Sequence, residues 1–351
     1  MLPQILPKDK FSQFVAFLMR DNHVAAPMAK GPQFAFQELA GDEDIGRIRM
    51  DYDITILPPK KYLLKTCESL LEFAGRDPAT VRPTVTAEPT VILGVHPYDL
   101  HGVATVLTAM TQEPPDAYVA ARQAATKIIG LNINGGYINE HQFMADMGTL
   151  EPPDGACDLF LTDLGNRYYA ETGSREGEDM VKFSKCFVAA TAADHKDKQG
   201  FDTRKAAAYP KRLPYHTRYL PDLLDASYDS LLWDALARRC FSCGTCTNVC
   251  PTCYCFDVQD KLALDAAGGV RQRMWDSCQL KTFAEVAGGE NFREHRASRV
   301  RHRMFRKGKY VLERTGKLGC VGCGRCIKHC VAAISILEAF RQIADQAEVE
   351  A

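Results

Sequence analysis

The chain has 351 residues, of which 46% are hydrophobic and 25% charged, and its formal net charge at pH 7 is -1. These values are ordinary for a globular protein of about two domains, and the near-neutral charge excludes a protein whose whole surface is basic enough to bind nucleic acid. The first residues lack a basic stretch followed by an apolar one. The apolar run at 91–95 is far shorter than the ~18 residues of a membrane span. We therefore expect a soluble, cytoplasmic protein.

The predicted elements of the first 200 residues alternate between short apolar runs and helical patterns, which is typical of a mixed α/β domain. The clearest are a buried strand at 91–95, a helix over about 100–110 that Asp99 would cap, a helix from Ala117 to about Ala125, and a strand at 128–131.

A segment rich in Lys, Arg and Pro follows at 194–226, and because it shows no sustained periodicity we predict a linker there. After it, Leu231, Leu232 and Leu236 share one face of a predicted helix. This helix leads directly into Cys240, the first of a crowded group of cysteines.

Eleven of the 14 cysteines lie between Cys240 and Cys330. Without a secretion signal, such a set indicates thiols that bind metal in a reducing compartment. The spacing C-x2-C-x2-C-x3-C occurs twice, as Cys240, Cys243, Cys246 and Cys250, and as Cys320, Cys323, Cys326 and Cys330.

This repeated run is typical of proteins that bind two [4Fe–4S] clusters, in which the fourth cysteine of each run ligates the other cluster. We therefore predict one cluster on Cys240, Cys243, Cys246 and Cys330, and another on Cys320, Cys323, Cys326 and Cys250. Two zinc sites are the alternative, but zinc ligands seldom form four-cysteine runs that then repeat. Pro251 follows the first run, whereas Val331 replaces the usual proline after the second.

Three further cysteines, Cys253, Cys255 and Cys278, lie between the two runs. They could bind a third cluster with a fourth ligand from elsewhere, or they could be buried thiols that pack as small apolar side chains.

A basic segment at 291–309 has three interpretations. First, it could be a solvated helix face. Second, it could offset the negative charge of the clusters or form a docking face for an acidic redox partner. Third, and least in keeping with the pattern, it could bind nucleic acid. Its basic residues are Arg293, Arg296, Arg299, Arg301, Arg303, Arg306, Lys307 and Lys309.

The pattern of the C-terminal part resembles a known family, the iron–sulfur beta subunits of cytoplasmic [NiFe]-hydrogenase or sulfhydrogenase complexes and the A subunit of anaerobic sulfite reductase. The most specific matches are C-P-T-C-Y-C-F-D-V from Cys250, W-D-S-C ending at Cys278, A-G-G at 287–289, R-H-R at 301–303, and C-V-G-C-G-R-C from Cys320. The resemblance implies a subunit that carries electrons between a flavin- and nicotinamide-binding diaphorase subunit and a catalytic subunit.

The N-terminal part departs from the family pattern, which would supply cysteines for an additional cluster. Tyr98 stands where that pattern has cysteine, the stretch 132–147 contains none, and Met144 is a poor substitute for a thiolate. The resemblance therefore implies that this chain has lost the additional cluster. Neither G-x-G-x-x-G nor a P-loop is present, so we expect that the chain itself binds no dinucleotide.

These observations predict an α+β protein with a mixed α/β domain at 1–193 that has a degenerate cluster site, a linker at 194–226, and a mainly helical dicluster domain at 227–351. We expect a non-catalytic electron-transfer subunit. A partner-recruiting scaffold with structural clusters, and an enzyme that reduces its substrate at an open cluster, are the alternatives.

Overall fold

The computed structural model describes residues 2–75, 80–137, 139–265 and 267–350. Its strands are β1 Gln4–Pro7, β2 His23–Lys30, β3 Gln33–Glu38, β4 Cys67–Ala74, β5 Arg82–Pro83, β6 Thr90–Val95, β7 Thr126–Leu131, β8 Leu159–Asp163, β9 Arg167–Thr172, β10 Val188–Ala189, β11 Phe256–Leu262 and β12 Gly268–Trp275.

The α-helices are α1 Phe11–Met19, α2 Pro97–Met110, α3 Ala117–Ala125, α4 Met144–Met147, α5 Arg175–Ser184, α6 Ala192–Ala208, α7 Leu220–Ala226, α8 Leu232–Arg239, α9 Thr245–Asn248, α10 Arg296–Phe305, α11 Val311–Thr315, α12 Arg325–Lys328 and α13 Ile336–Glu350. A π-helix at Arg306–Tyr310 joins α10 to α11.

The N-terminal half forms an eight-stranded sheet in the order β10-β1-β9-β8-β7-β6-β2-β3. Its neighbours β2, β6, β7 and β8 pair in parallel, and antiparallel strands complete both edges. Strands β6 and β7 and helix α3 lie where the sequence predicts them. The C-terminal half is mainly helical, so the α+β prediction is confirmed.

The start of α2 differs from the prediction. The helix begins at Pro97 after an N-cap at His96, and no side chain caps it. The Asp99 carboxylate is fully buried and instead forms a bidentate ion pair with Arg325, with contacts of 2.5 and 2.7 Å. Because Asp99 finds its partner 226 residues away in the chain, a local capping rule gave it the wrong role.

The segment 194–226 is largely helical, in contrast to its aperiodic sequence. Helix α6 begins at a capping box of Thr191 and Asp194, and it buries the Lys205 amino group, which donates to Asn132 Oδ1 at 2.9 Å and to Glu151. Polar contacts with distant residues therefore hold a helix whose own apolar periodicity is weak.

A second, four-stranded antiparallel sheet contains strands from both halves, in the order β11-β12-β4-β5. The chain between the two cysteine runs forms the hairpin β11–β12, and β12 pairs with β4 of the N-terminal half. Arg273 of β12 lies 2.7 Å from Glu68 and also binds Asp116, and all three belong to a nearly buried ion network. The two halves are thus joined by main-chain pairing as well as by side chains.

The apolar cores follow the same division. One packs against both faces of the large sheet, and another fills the space between α7, α8, α10 and α13. Among the described residues, no helix is both long and apolar enough to cross a membrane.

Candidate metal centre

The two cysteine runs have the same local backbone geometry. In each run, a glycine with positive φ, Gly244 at 78° and Gly324 at 77°, precedes a single-turn helix, α9 or α12. Glycine adopts this conformation without the strain that a side chain would introduce. The sequence repeat is therefore a structural repeat.

A cavity between the two runs gathers one of the predicted ligand sets. Cys240 lies directly after α8, and Cys243 and Cys246 lie in the loop and helix that follow. All three line the cavity together with Cys330 of the second run, and Cys326 of that run reaches the same cavity. The structure therefore brings together the four cysteines that the crossed-ligation hypothesis groups as the first set.

The second set lies deeper. Burial is the main cause that raises the pKa of the Cys323 thiol to about 12, and Cys250 and Cys326 are among the charges that contribute to this rise. Burial also raises the pKa of Cys320 above the usual range, with Cys326, Cys323 and Cys250 contributing. Cys250 of the first run is thus a neighbour of Cys320, Cys323 and Cys326 of the second.

The basic segment places cations against these cysteines. Arg299, Arg303 and Lys307 recur every four residues, so they share one face of α10 and the π-helix, and their side chains are 5%, 5% and 1% exposed. The interpretation of a solvated helix face is therefore wrong for these three residues. Arg301 instead lies on the outside, 3.8 Å from the Tyr228 ring centroid.

Arg303 and Lys307 provide positive charge beside the cysteine thiols, which must be thiolates to bind iron. Burial opposes the charge on Arg303, yet the thiolates of Cys246 and Cys326 hold its pKa well above the usual value. For Lys307 burial again opposes the charge, but Cys250 and Cys253 together outweigh burial and raise the pKa. The Lys307 amino group also donates to Thr252 Oγ1 at 2.6 Å. Such buried cations are stable only beside compensating negative charge.

An unsatisfied donor shows that the cavity is suited to an acceptor. Arg303 lines the cavity, and within the described ranges its Nη1 atom is buried with no hydrogen-bond partner. Across the same ranges, no three His, Cys, Asp or Glu side chains come close enough to hold one metal ion. Soft thiolate donors around a cavity that the buried Arg303 cation also lines fit an anionic iron–sulfur cluster.

Comparison with known proteins agrees with this fit. Residues 239–334 match a family model described as a 4Fe-4S dicluster domain. The chain is also 31% identical over 339 residues to sulfhydrogenase 2 subunit beta of Pyrococcus furiosus. This match covers 96% of this chain and 97% of the relative.

The chain belongs to the iron–sulfur hydrogenase beta-subunit family. The resemblance drawn from the cysteine runs is thereby confirmed for the hydrogenase branch of the family. The chain is an iron–sulfur subunit that transfers electrons.

In this beta subunit the three extra cysteines lie beside the second set. Cys253 and Cys278 are 3% and 2% exposed. A hydrogen bond with Cys255 lowers the pKa of Cys278 to about 6 despite the opposing effect of burial. Cys253 in turn shares a hydrogen bond with Cys250. Cys253 and Cys278 are therefore buried, as one interpretation expects, whereas Cys255 is partly exposed. Cys255 contacts Cys278, and Cys253 contacts Cys250 of the second set.

Lys60 is a functional candidate that the sequence did not reveal. It comes from the N-terminal half, is 2% exposed, donates to the Cys253 carbonyl oxygen and lies 4.2 Å from the Trp275 ring centroid. Burial lowers its pKa to about 8, although Cys253 opposes this shift. No local signal in the sequence distinguishes it from the neighbouring lysine, Lys61.

The N-terminal half forms a wall against the second set. Tyr98 and Met144 are fully buried in an apolar cluster that also contains Val321 and Cys323 of the second run. The Phe143 N–H donates to the Gly322 carbonyl at 2.9 Å. Where the family pattern would supply cysteines, this beta subunit has apolar packing.

Proposed function

We propose that the chain binds two [4Fe–4S] clusters by crossed ligation and relays electrons in a multi-subunit cytoplasmic oxidoreductase. The donor and acceptor would be a flavin- and NAD(P)-binding diaphorase subunit and a catalytic subunit of the hydrogenase or sulfite/sulfur reductase type. The ligand sets are Cys240, Cys243, Cys246 and Cys330 for the first cluster, and Cys320, Cys323, Cys326 and Cys250 for the second.

The observation that carries this proposal is the position of Cys330. It lines the same cavity as Cys240, Cys243 and Cys246, which come 84 to 90 residues earlier in the chain. Arg303 lines that cavity too, and among the described residues its buried Nη1 atom has no hydrogen-bond partner. Cys250 supports the same exchange, because it is among the charges that raise the pKa of Cys320 in the second run. This exchange of fourth cysteines is what crossed ligation requires.

The residues of the chain have distinct tasks in this function. The clusters, when bound, supply reversible one-electron chemistry. Gly244 and Gly324 let the loop of each run turn tightly. The cysteines before and after each glycine can then point to the same side of their loop. Arg303 lies between the two sets, since Cys246 and Cys326 are the two thiolates that most raise its pKa. It therefore offsets negative charge on both.

The partners are proposed from the family. The name of the relative identifies a beta subunit of a sulfhydrogenase, and a chain of this kind would need at least two docking sites for electrons to pass through it. A scaffold with structural clusters would need no docking site that brings a partner close to a cluster. The exposed position of Cys243 favours the relay.

The test is a pair of single substitutions in anaerobically purified protein. Cys330→Ser is expected to damage the cluster of Cys243, and Cys250→Ser that of Cys323, because an alkoxide is a poorer iron ligand than a thiolate. Electron paramagnetic resonance would identify each signal through Cys243→Ser and Cys323→Ser controls. If Cys330→Ser removes the same signal as Cys323→Ser, each run holds its own cluster and crossed ligation is wrong.

Iron and acid-labile sulfide analysis decides the number of clusters. Two clusters correspond to about eight of each per chain, and a third on Cys253, Cys255 and Cys278 would raise both to about twelve. Stoichiometric zinc without sulfide would contradict the proposal.

A further inference from the structure

The first cysteine set opens to the surface beside two exposed apolar side chains. Cys243 is exposed, and Phe241 and Val331, which line the same cavity, are 68% and 77% exposed. Single exposed apolar residues need no explanation, but here two of them border the opening of the candidate metal centre. Val331 is also the residue that replaces the usual proline of the second run.

Exposed arginines lie on the two helices next to this opening, α8, which leads into Cys240, and α10, which lines the cavity with Val300 and Met304. Arg238 and Arg239 end α8, immediately before Cys240, and both are exposed. Arg239 donates from Nη2 to the Ala332 carbonyl oxygen at 2.9 Å, which places it beside Val331. Arg296, also exposed, begins α10 and lines a groove together with Arg238. We call Arg238, Arg239 and Arg296 the arginine rim.

The nearby acidic residues do not cancel this charge. The groove that contains Arg238 and Arg296 is also lined by Glu294 and Asp234. Glu294 is paired with Lys281 at 3.1 Å, so these two residues neutralise each other. Asp234 opposes one of the three arginines of the rim. The surface around the opening is therefore positive, with an apolar centre.

We propose that Phe241, Val331 and the arginine rim form the docking face for an acidic redox protein whose contact patch is apolar at its centre and ringed by carboxylates. This inference rests on the proposed relay function and deepens it, because it assigns one electron port to the first cysteine set. It also moves the docking role away from Arg299 and Arg303, which are buried. Complementary charge at such a face raises the association rate.

The first test uses a small anionic oxidant. Holoprotein is reduced with dithionite, the excess is removed, and ferricyanide is added, each ion of which accepts one electron and becomes ferrocyanide. The rim variant carries Arg238→Glu, Arg239→Glu and Arg296→Glu. We expect its oxidation, followed by stopped-flow absorbance, to be on the order of tenfold slower at low salt, with the difference disappearing at high salt.

A matched variant controls for net charge. Lys182→Glu, Lys196→Glu and Arg204→Glu reverse three exposed charges in the N-terminal half, and we expect this control to react at the wild-type rate. Paramagnetic resonance of each reduced protein verifies that its clusters are intact. If the rim variant and the control react equally fast, the docking face is wrong.

The second test addresses the apolar centre with a protein probe, an acidic plant-type ferredoxin. Phe241→Ser combined with Val331→Ser should weaken the affinity for this probe several-fold, as measured by titration calorimetry, while paramagnetic resonance of the reduced variant verifies that its clusters are intact. Unchanged affinity would contradict the apolar part of the face. A wild-type protein whose clusters cannot be reduced would refute the relay function itself, which distinguishes the two failures.

Discussion

The two cysteine sets have the same spacing and the same glycine-turn geometry but opposite surroundings. The first set includes the exposed Cys243 and borders a surface cavity, whereas the second contains the buried Cys250 and Cys323 and is backed by the N-terminal half. A repeated motif thus fixes how the thiols are arranged, while the rest of the chain decides which set solvent and partners can reach.

The wall behind the second set depends on close contact with the N-terminal half. A Cβ atom on Gly322 would lie 2.6 Å from the Phe143 carbonyl oxygen, and one on Gly324 would lie 2.7 Å from that of His141. In the first run, the nearest neighbours of a Cβ atom on Gly244, the equivalent of Gly324, would be the side chains of Ser277 and Leu280, which belong to the C-terminal half. The second run is therefore the one that the N-terminal half holds in place.

The largest effect on stability is expected from removing the Asp99 carboxylate, because its ion pair with Arg325 joins the second run to the N-terminal half. Asp99→Ala leaves the fully buried Arg325 guanidinium without its counter-ion, which should lower the free energy of unfolding by about 3–5 kcal/mol. Because Arg325 lies between Cys323 and Cys326, we also expect the second cluster to be lost before the first. Chemical denaturation and paramagnetic resonance measure the two effects.

Asp260→Ala is the matched control for this substitution. It removes a carboxylate of the same type from an ion pair with Arg271, in which both side chains are about half exposed. Exposed pairs of this kind contribute little to stability, so the control should behave like the wild type. Equal loss of both clusters in Asp99→Ala would show that the two sets do not differ in their dependence on the N-terminal half.

A smaller effect is expected at Arg303, which tests what the two sets share. Arg303→Gln removes a buried positive charge near Cys246 and Cys326, so the more negative, reduced form of each cluster loses stabilisation. Both reduction potentials should fall by on the order of 60 mV, equivalent to about 1.4 kcal/mol for one electron. Redox titration monitored by paramagnetic resonance measures this shift.

Arg303→Lys and Arg301→Gln are the controls for this prediction. The first keeps the charge and should restore most of the potential, while the second removes a cation that lies against Tyr228 on the outside of the helix. A shift confined to one cluster would mean that Arg303 serves one set and does not lie between the two.

Much of the candidate site could be predicted because its signal is local. The repeated spacing of the runs predicts that Cys330 joins the first run, and Cys330 lines the same cavity as Cys240, Cys243 and Cys246. That Arg299, Arg303 and Lys307 share one helix face could also have been recognised, since the three residues recur at helical spacing. The sequence could not show whether that face points to the cysteines or to solvent.

The remaining features depend on residues far apart in the chain. Asp99 and Arg325 are 226 positions apart, and Lys60 reaches Cys253 over 193 positions. The second sheet likewise pairs β4 with β12, across most of the protein. No short window of sequence contains both partners of such a contact, so local patterns assigned Asp99 to a helix cap and left Lys60 unnoticed.

The smallest effect is expected at Tyr98, where the wall meets the second set. Tyr98→Phe removes the hydrogen bond from the hydroxyl group to the Asp53 carbonyl oxygen, 2.8 Å away, and should cost about 1 kcal/mol of stability. The ring still fills the same space beside Cys323, so we expect the wall to remain closed. In air, the signal of the first cluster should decay before that of the second in both the wild type and Tyr98→Phe.

Tyr52→Phe is the control for the hydrogen bond, because its hydroxyl group donates to the Gly94 carbonyl oxygen at 2.7 Å and is equally buried. Both variants should lose similar stability, measured by denaturant titration, and neither should change the order in which the clusters decay. If Tyr98→Phe alone accelerates the loss of the second cluster, protection depends on the hydroxyl group holding the ring in place. Simple filling of space by the N-terminal wall would then be insufficient to explain why one set is sheltered and the other is open.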